Sequence, residues 1–334
     1  MSEDRRKVWE YFRPYFRAFW RILNAALGFG YDFFRFYKYG GWRGGEDDLR
    51  NYQQAMVYHG LEKSMSYKER RKGAGWNNAF KLLDLIKEGS RGGRRGYNDY
   101  ASLSVLRQFI DLPENKDSQN SILISNEIKN ISYGSNTTND GVQRYALSDF
   151  ERGKLENPED FFLTRYSLRE FSKTKVDDEV LKRALRLALK TPSVCNRQAW
   201  HTYHTSDKTV LDAALKYQNG NAGFGHAVAN LLVVTTDLKA FFAGEEHYQH
   251  WIDGGMFSMS VVHALHSLGV ASCCLNWSQS PRSDMLLRKT LNINKTHTVM
   301  MLIAYGYPNE DNTVCLSSRK PLAEYLTELK KVSL

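Results

Sequence analysis

Apolar positions are spaced for helices in the first third of the chain and for alternating helices and short strands after Phe150. In the first 45 residues Trp9, Tyr11, Phe12, Tyr15, Phe16, Phe19 and Trp20 are interleaved with Arg13, Arg17 and Arg21. Arginines four apart fall on one helical stripe and leave the aromatics much of the remaining surface, and Pro14 is expected to start or break that helix. Residues 47–113 are again helical in pattern: Ala55, Met56 and Leu61, then Phe80, Leu82, Leu83, Leu85 and Ile86, mark apolar faces on either side of Gly73-Ala74-Gly75. Residues 114–148, rich in Asn, Ser, Thr and Gly, read as a connection carrying one short element at most. Beyond them, 176–190 is an amphipathic helix opened by Asp177-Asp178-Glu179, acids that suit a helix N-terminus. Segments 200–205, 231–235 and 299–305 read as strands, which predicts an α+β fold with a mixed sheet flanked by helices. The divisions expected are a basic aromatic leader at 1–45, a helical appendage at 46–113, a connection at 114–150 and the main domain at 151–334.

A chain of 334 residues with 42% hydrophobic composition is long enough for one large or two modest domains with a buried core. No run approaches the roughly 18 apolar residues that would span a bilayer. Met1-Ser2-Glu3-Asp4-Arg5-Arg6 lacks the apolar stretch of a signal peptide, so a cytoplasmic location is the default expectation. The rings and cations of residues 5–38 suit a membrane interface as well as packing on protein, which leaves peripheral membrane contact open. Four cysteines, two of them adjacent at Cys273 and Cys274, indicate neither a disulfide scaffold nor a zinc site and read as reduced, buried thiols. A formal charge of +9 favours anionic partners without choosing among nucleotide, phospholipid and nucleic acid, and Arg70-Arg71-Lys72 and Arg91-Gly92-Gly93-Arg94-Arg95 read as solvated surface. Nucleic acid is the least favoured partner, since only the leader's Arg and aromatic interleaving speaks for it. His201 and His204, His247 and His250, and His263 and His266 are each three apart, but every pair lacks a third metal ligand. No Gly-x-Gly-x-x-Gly follows a strand and no Walker loop occurs, which leaves Rossmann and P-loop readings without support.

Two segments carry the candidate chemistry. Thr164-Arg165-Tyr166-Ser167-Leu168-Arg169 presents two cations and a hydroxyl at 165, 167 and 169, a set that satisfies the anionic oxygens of a phosphate and a neighbouring electron-rich ring. Pro192-Ser193-Val194-Cys195-Asn196-Arg197-Gln198-Ala199-Trp200 offers uncharged amides beside an aromatic. Asn and Gln each carry donors and an acceptor, which matches the mixed edge of an isoalloxazine pyrimidine. Together they point to FMN rather than to a metal.

These segments resemble the nitroreductase family, FMN-dependent enzymes with the pattern Arg-Arg-Ser-x-Arg, a helix, then Pro-Ser-Ser-x-Asn-x-Gln-Pro-Trp. The resemblance covers residues 158–330 and continues in order through Asn221 ahead of the strand at 231–234, the helix at 253–268, and Ala304-Tyr305-Gly306-Tyr307-Pro308 followed by Arg319-Lys320-Pro321-Leu322. Tyr166 departs where a basic residue or His is common, and Ala199 stands where Pro usually precedes the Trp. Residues 58–63 and 71–76 are similar to the leader of nitroreductase-like proteins found with surface-polysaccharide biosynthesis. The resemblance implies that Arg165, Ser167 and Arg319 hold the FMN phosphate and that Arg169 is the cation near the flavin N1. It places Pro192, Ser193, Asn196, Gln198 and Asn221 around the ring and ribityl chain, and Asn276 and Trp277 where backbone approaches N5. It further implies a homodimer with flavin at the interface, paired through the helix at 253–268, and ping-pong transfer of hydride from NADH or NADPH to a small-molecule acceptor. The alternative is a non-catalytic flavin-binding or scaffold component of a polysaccharide biosynthesis assembly.

Overall fold

A computed structural model describes residues 3–43, 47–71, 73–93, 96–129, 131 and 140–331, with only the backbone described at 3–8, 43 and 48. Lys72, Arg94 and Arg95 of the basic runs lie outside the described residues, as do the side chains of 5–8 in the candidate membrane segment.

Helix α1 (Glu3–Tyr39) runs unbroken through Pro14, against the expectation that this proline starts or breaks it. Pro14 sits on an exposed stretch, where the helix bears the loss of one backbone hydrogen bond without ending. Four helices follow: α2 (Asp47–Ser66), α3 (Trp76–Arg91), α4 (Tyr97–Ile110) and α5 (Gln119–Lys129). They share one apolar core, in which Leu61, Leu82, Ile86, Leu106, Phe109 and Ile124 are fully buried. The element inside the expected connection, α5, is thus part of that core. At its edge Asp99 accepts two bonds from Arg50 (2.5 and 2.9 Å), one from Gln54 (2.8 Å) and one from the Gly96 amide (2.8 Å), which ties α2 to the start of α4. A buried carboxylate so fully paired avoids the penalty of an isolated charge.

Two short exposed helices, α6 (Leu147–Glu151) and α7 (Pro158–Leu163), lead to the main domain. There α8 (Asp178–Ala188) is capped by the Asp177 carboxylate, which accepts from the Glu179 amide at 2.7 Å. It is followed by β1 (Trp200–Thr205), α9 (Lys208–Leu215), β2 (Asn230–Asp237), α10 (Gln249–Ser267), β3 (Ala271–Asn276), α11 (Pro281–Thr290) and β4 (His297–Gly306). The strands lie in the order β1-β2-β4-β3, antiparallel throughout, and a lone parallel bridge joins Ser167 to Ser272 on the outer edge of β3. This is the α+β architecture expected, with an antiparallel sheet where a mixed one was expected. Alternation sends Leu232, Val234 and Ile303 toward α8 and α10, and Leu231, Val233 and Leu302 toward α9 and α11. Trp200 stacks on Phe257 of α10, ring centroids 4.7 Å apart, and so fixes that helix over the start of β1.

The expectation of buried thiols needs correction. Cys273 alone is buried; Cys195 is half-buried, and Cys274 and Cys315 are exposed, all four being free. Neighbouring residues on a strand point to opposite faces, so Cys273 enters the core and Cys274 does not.

Candidate functional site

The first motif is an extended segment pinned at both ends. Upstream, the ring of His266 on α10 lies 3.0 Å from the Phe161 carbonyl and 3.2 Å from the Thr164 hydroxyl, which fixes α7. Downstream, the Leu168 amide donates to the Ser272 carbonyl at 3.2 Å, laying residues 167–168 along the edge of β3. Alternation then turns Arg165, Ser167 and Arg169 to a common side. All three act on Cys273: burial pushes its thiol up, opposed by the Arg169 charge, a hydrogen bond with Ser167 and the Arg165 charge. Arg169 also lies over Phe224, 6.0 Å from its centroid, and donates to Cys315 Sγ at 3.4 Å. Neither arginine pairs with a carboxylate among the described residues.

The loop after α9 comes to the same end of the sheet. The Asn221 carboxamide donates to the Leu215 and Gln218 carbonyls (2.9 and 2.8 Å) and to Gln218 Oε1 (3.0 Å), while Gln218 donates to the Asn276 carbonyl at 3.1 Å. Asn221 and Asn276 are therefore linked through Gln218, a residue the sequence reading did not single out. The Asn221 amide hydrogens are spent on shaping their own loop. Trp277 is likewise committed: its indole donates to Asp284 at 2.8 Å, which anchors the side chain beside the neighbouring space. That space is a cavity of about 460 Å³ bounded by Asn276, Trp277, Gln279, Met300, Trp251 and Tyr31. Asp284 also takes bonds from Arg288 (2.6 Å) and Tyr31 (2.7 Å). Burial alone would raise its carboxyl, yet these partners hold it below the usual carboxylate range.

The second motif is a tight turn between α8 and β1. Its Ser193 hydroxyl accepts from the Gln198 amide (3.0 Å), and the Ser193 carbonyl accepts from the Asn196 amide (3.0 Å). Cys195, Asn196 and Gln198 adopt left-handed φ of 47°, 53° and 50°, a costly run for residues with side chains, which persists only where the surroundings impose it. What imposes it is underneath. Asp253 of α10 accepts from the Val194 amide (3.2 Å), and buried Arg197 grips Glu246 with both of its terminal nitrogens and donates to the Ala240 carbonyl. Arg197 and Asp253 were not among the site residues read from sequence; their roles depend on partners some fifty residues away that no local pattern marks. Helix α2 lies against the turn, and the Tyr58 hydroxyl reaches Asn196.

The residues thus gather in two groups. Arg165, Ser167, Arg169, Asn221 and Asn276, with the Trp277 backbone, lie on the β3 side; Pro192, Ser193, Asn196 and Gln198 precede β1, the opposite edge. Three strand spacings, roughly 14 Å, separate the edges. Arg319 joins neither group: it is exposed in the C-terminal segment and donates to the Ser317 carbonyl, although that segment passes Arg169 at Cys315. As a donor set, the β3 group fits a phosphorylated ligand, because two cations with no acid partner flank a hydroxyl. The β1 group offers neutral amides suited to a ring edge.

A model of the nitroreductase family matches residues 163–243. An Archaeoglobus fulgidus protein described as an NADH dehydrogenase/NAD(P)H nitroreductase is 27% identical over 152 residues, 44% of this chain and 83% of that protein. Among solved structures, an FMN-dependent nitroreductase of Clostridium difficile shows 20% identity and a TM-score of 0.44 over 51% of this chain and 98% of its own. A Desulfovibrio desulfuricans nitroreductase in complex with FMN shows 22% and 0.46 over 53% of this chain and 100% of its own. Both candidate motifs, at 164–169 and 192–200, lie inside the segment that the nitroreductase family model matches.

Proposed function

We propose that the chain is an FMN-dependent oxidoreductase of the nitroreductase type, taking reducing equivalents from NADH or NADPH and passing them to a small organic acceptor in alternate half-reactions. The observation that carries this reading is the pair of acid-free arginines, Arg165 and Arg169, flanking Ser167 on the β3 edge. The description of the archaeal relative, which names NAD(P)H, supports the choice of reductant. When bound, FMN supplies hydride transfer at N5. Arg165 and Ser167 bind the phosphate, and Arg169 places positive charge where electron density accumulates during reduction. Asn276 and the Trp277 backbone border the cavity in which nicotinamide and acceptor succeed one another. The Ser193–Gln198 turn, made rigid by Arg197 and Asp253, presents amides to a ring edge.

Because the two groups of residues occupy opposite sheet edges, the reading requires two chains, each lending its turn to the other's arginines. Helix α10 offers a surface for that pairing: Ile252, Met256 and Met259 are exposed on its outer side, and Gly255 has open space where a side chain would stand.

The purified protein is expected to be yellow and to bleach on anaerobic titration with one of the two nicotinamides. A colourless preparation that takes up no added FMN would falsify the proposal. Bound flavin without oxidation of either nicotinamide in the presence of quinones or nitroaromatics would instead select the non-catalytic, scaffold reading.

A further inference from the structure

Helix α1 keeps one half of its surface clear of the rest of the molecule. Twelve large apolar side chains between Tyr11 and Tyr37 are each 46–71% exposed. At 100° per residue they fall within one half of the helix circumference, over roughly 40 Å of length. Arg13, Arg17, Arg21 and Asn24 occupy the other half. Farther along, that same polar half carries Tyr31 and Arg35, which dock on Asp284 and on the His297 carbonyl at 2.7 Å each. The domain therefore holds α1 by its polar side and turns the aromatic side outward. At its base this side runs into an aromatic groove of about 880 Å³ lined by Phe29, Phe33, Trp42, Phe242, Tyr248 and Trp251.

An apolar surface of this extent is far larger than a solvated monomer leaves uncovered. Two features identify what covers it. The face spans half the circumference and consists mainly of rings, with Ile22 and Leu27 its only exposed large aliphatic members; a helix–helix seam uses a narrow stripe of aliphatic knobs. Phe, Tyr and Trp together with arginine on the polar side are what the headgroup layer of a bilayer accommodates. The charge agrees: Arg13, Arg17 and Arg21 are exposed along the helix of a protein with formal charge +9. The helix is not long and apolar enough to cross a membrane.

We propose that α1 lies flat on an anionic lipid surface, with its aromatic half at headgroup depth and its arginines drawing it there, so that the main domain sits on the membrane at the level of the aromatic groove. This rests on α1 and the charge alone and stands or falls independently of the flavin reading.

The full-length protein is tested by co-sedimentation and tryptophan fluorescence with phosphatidylcholine vesicles, with and without about 30% phosphatidylglycerol. Binding is expected on the anionic vesicles, with a blue shift of emission, and is expected to weaken on neutral vesicles and in high salt. Phe16→Glu with Phe19→Glu, and separately Arg17→Gln with Arg21→Gln, should each weaken it roughly tenfold or more while leaving the thermal melt unchanged, since none of these side chains packs on the body. Absence of vesicle binding overturns the proposal, as does binding indifferent to both variants. Self-association in light scattering that disappears with Phe16→Glu, in a protein that ignores vesicles, would assign the face to a second copy instead.

Discussion

Arg197 lies beneath its own turn, where the flat guanidinium meets both Glu246 oxygens and the Ala240 carbonyl while the rings of Phe241 and Phe242 close over it at 5.7 and 5.2 Å. Removing Arg197 leaves the partly exposed Glu246 carboxylate with only the Phe242 and Ala243 amides as donors, so Arg197→Met is expected to cost about 3 kcal/mol in urea unfolding at neutral pH, the low end for a broken buried pair. Arg197→Lys should fall between, because a point charge cannot reproduce the fork. A Met variant as stable as the wild type would show that the pair does not hold the turn. His250 allows a second test. It is buried among Phe36, Phe241 and Trp251, its Nδ1 has no hydrogen-bond partner among the described residues, and burial, reinforced by the charges of Arg35 and His247, pushes its pKa down to about 3. The folded form keeps the ring neutral while the unfolded chain takes up a proton near pH 6.5. Stability is therefore full above that value and declines as pH falls toward 3, this residue accounting for about 2 kcal/mol between pH 7 and pH 5. His250→Phe should flatten the pH dependence of unfolding by that amount; an unchanged slope would place the titration elsewhere.

Helix α10 shows how one element meets two demands. A Cβ on Gly254 would lie 2.5 Å from Met300 Cγ and 2.9 Å from Thr236 Cγ2, so the helix rests on β2 and β4 only because nothing stands there. Gly254→Ala is expected to lift it and cost about 1–3 kcal/mol by overpacking, read as a lower urea midpoint. A neutral result would mean that the sheet yields more easily than its packing implies. Which elements were legible in sequence follows similar physical lines. Runs such as Leu231-Leu232-Val233-Val234 are too apolar and β-branched to be anything but a buried strand, and α8 announces itself by its acidic cap. Strand β3, Ala-Ser-Cys-Cys-Leu-Asn, mixes small and polar residues because its outer edge serves the Ser167 segment, and it carried no such signal. The break at Pro14 was expected because a proline removes one backbone hydrogen bond and crowds the turn before it, a local penalty that α1 bears without ending. Of the site, the arginines and amides were readable as donor types. Gln218, Arg197 and Asp253 were not, since each acquires its role from a partner distant in sequence.

At the scale of the whole molecule, the sheet order β1-β2-β4-β3 sets the two motifs on opposite edges, and the proposed chemistry needs them together. A two-fold pair of chains would resolve this without distorting either, each site taking its arginines from one chain and its turn from the other. That division makes a strong prediction. Arg165→Ala with Arg169→Ala in one preparation, and Asn196→Ala with Gln198→Ala in another, should each abolish nicotinamide oxidation, because every site in either homodimer lacks one half. Mixed under conditions that exchange subunits, half of the dimers are hybrid, and each hybrid joins the intact arginines of one chain to the intact turn of the other at one of its two sites. Activity should therefore return to about a quarter of the wild-type value for the same total protein. A site built within a single chain gives no recovery at all, because each chain then carries a defect that its neighbour cannot repair. Recovery that vanishes when Met256 and Met259 on α10 are changed to Glu would also identify the surface through which the chains meet.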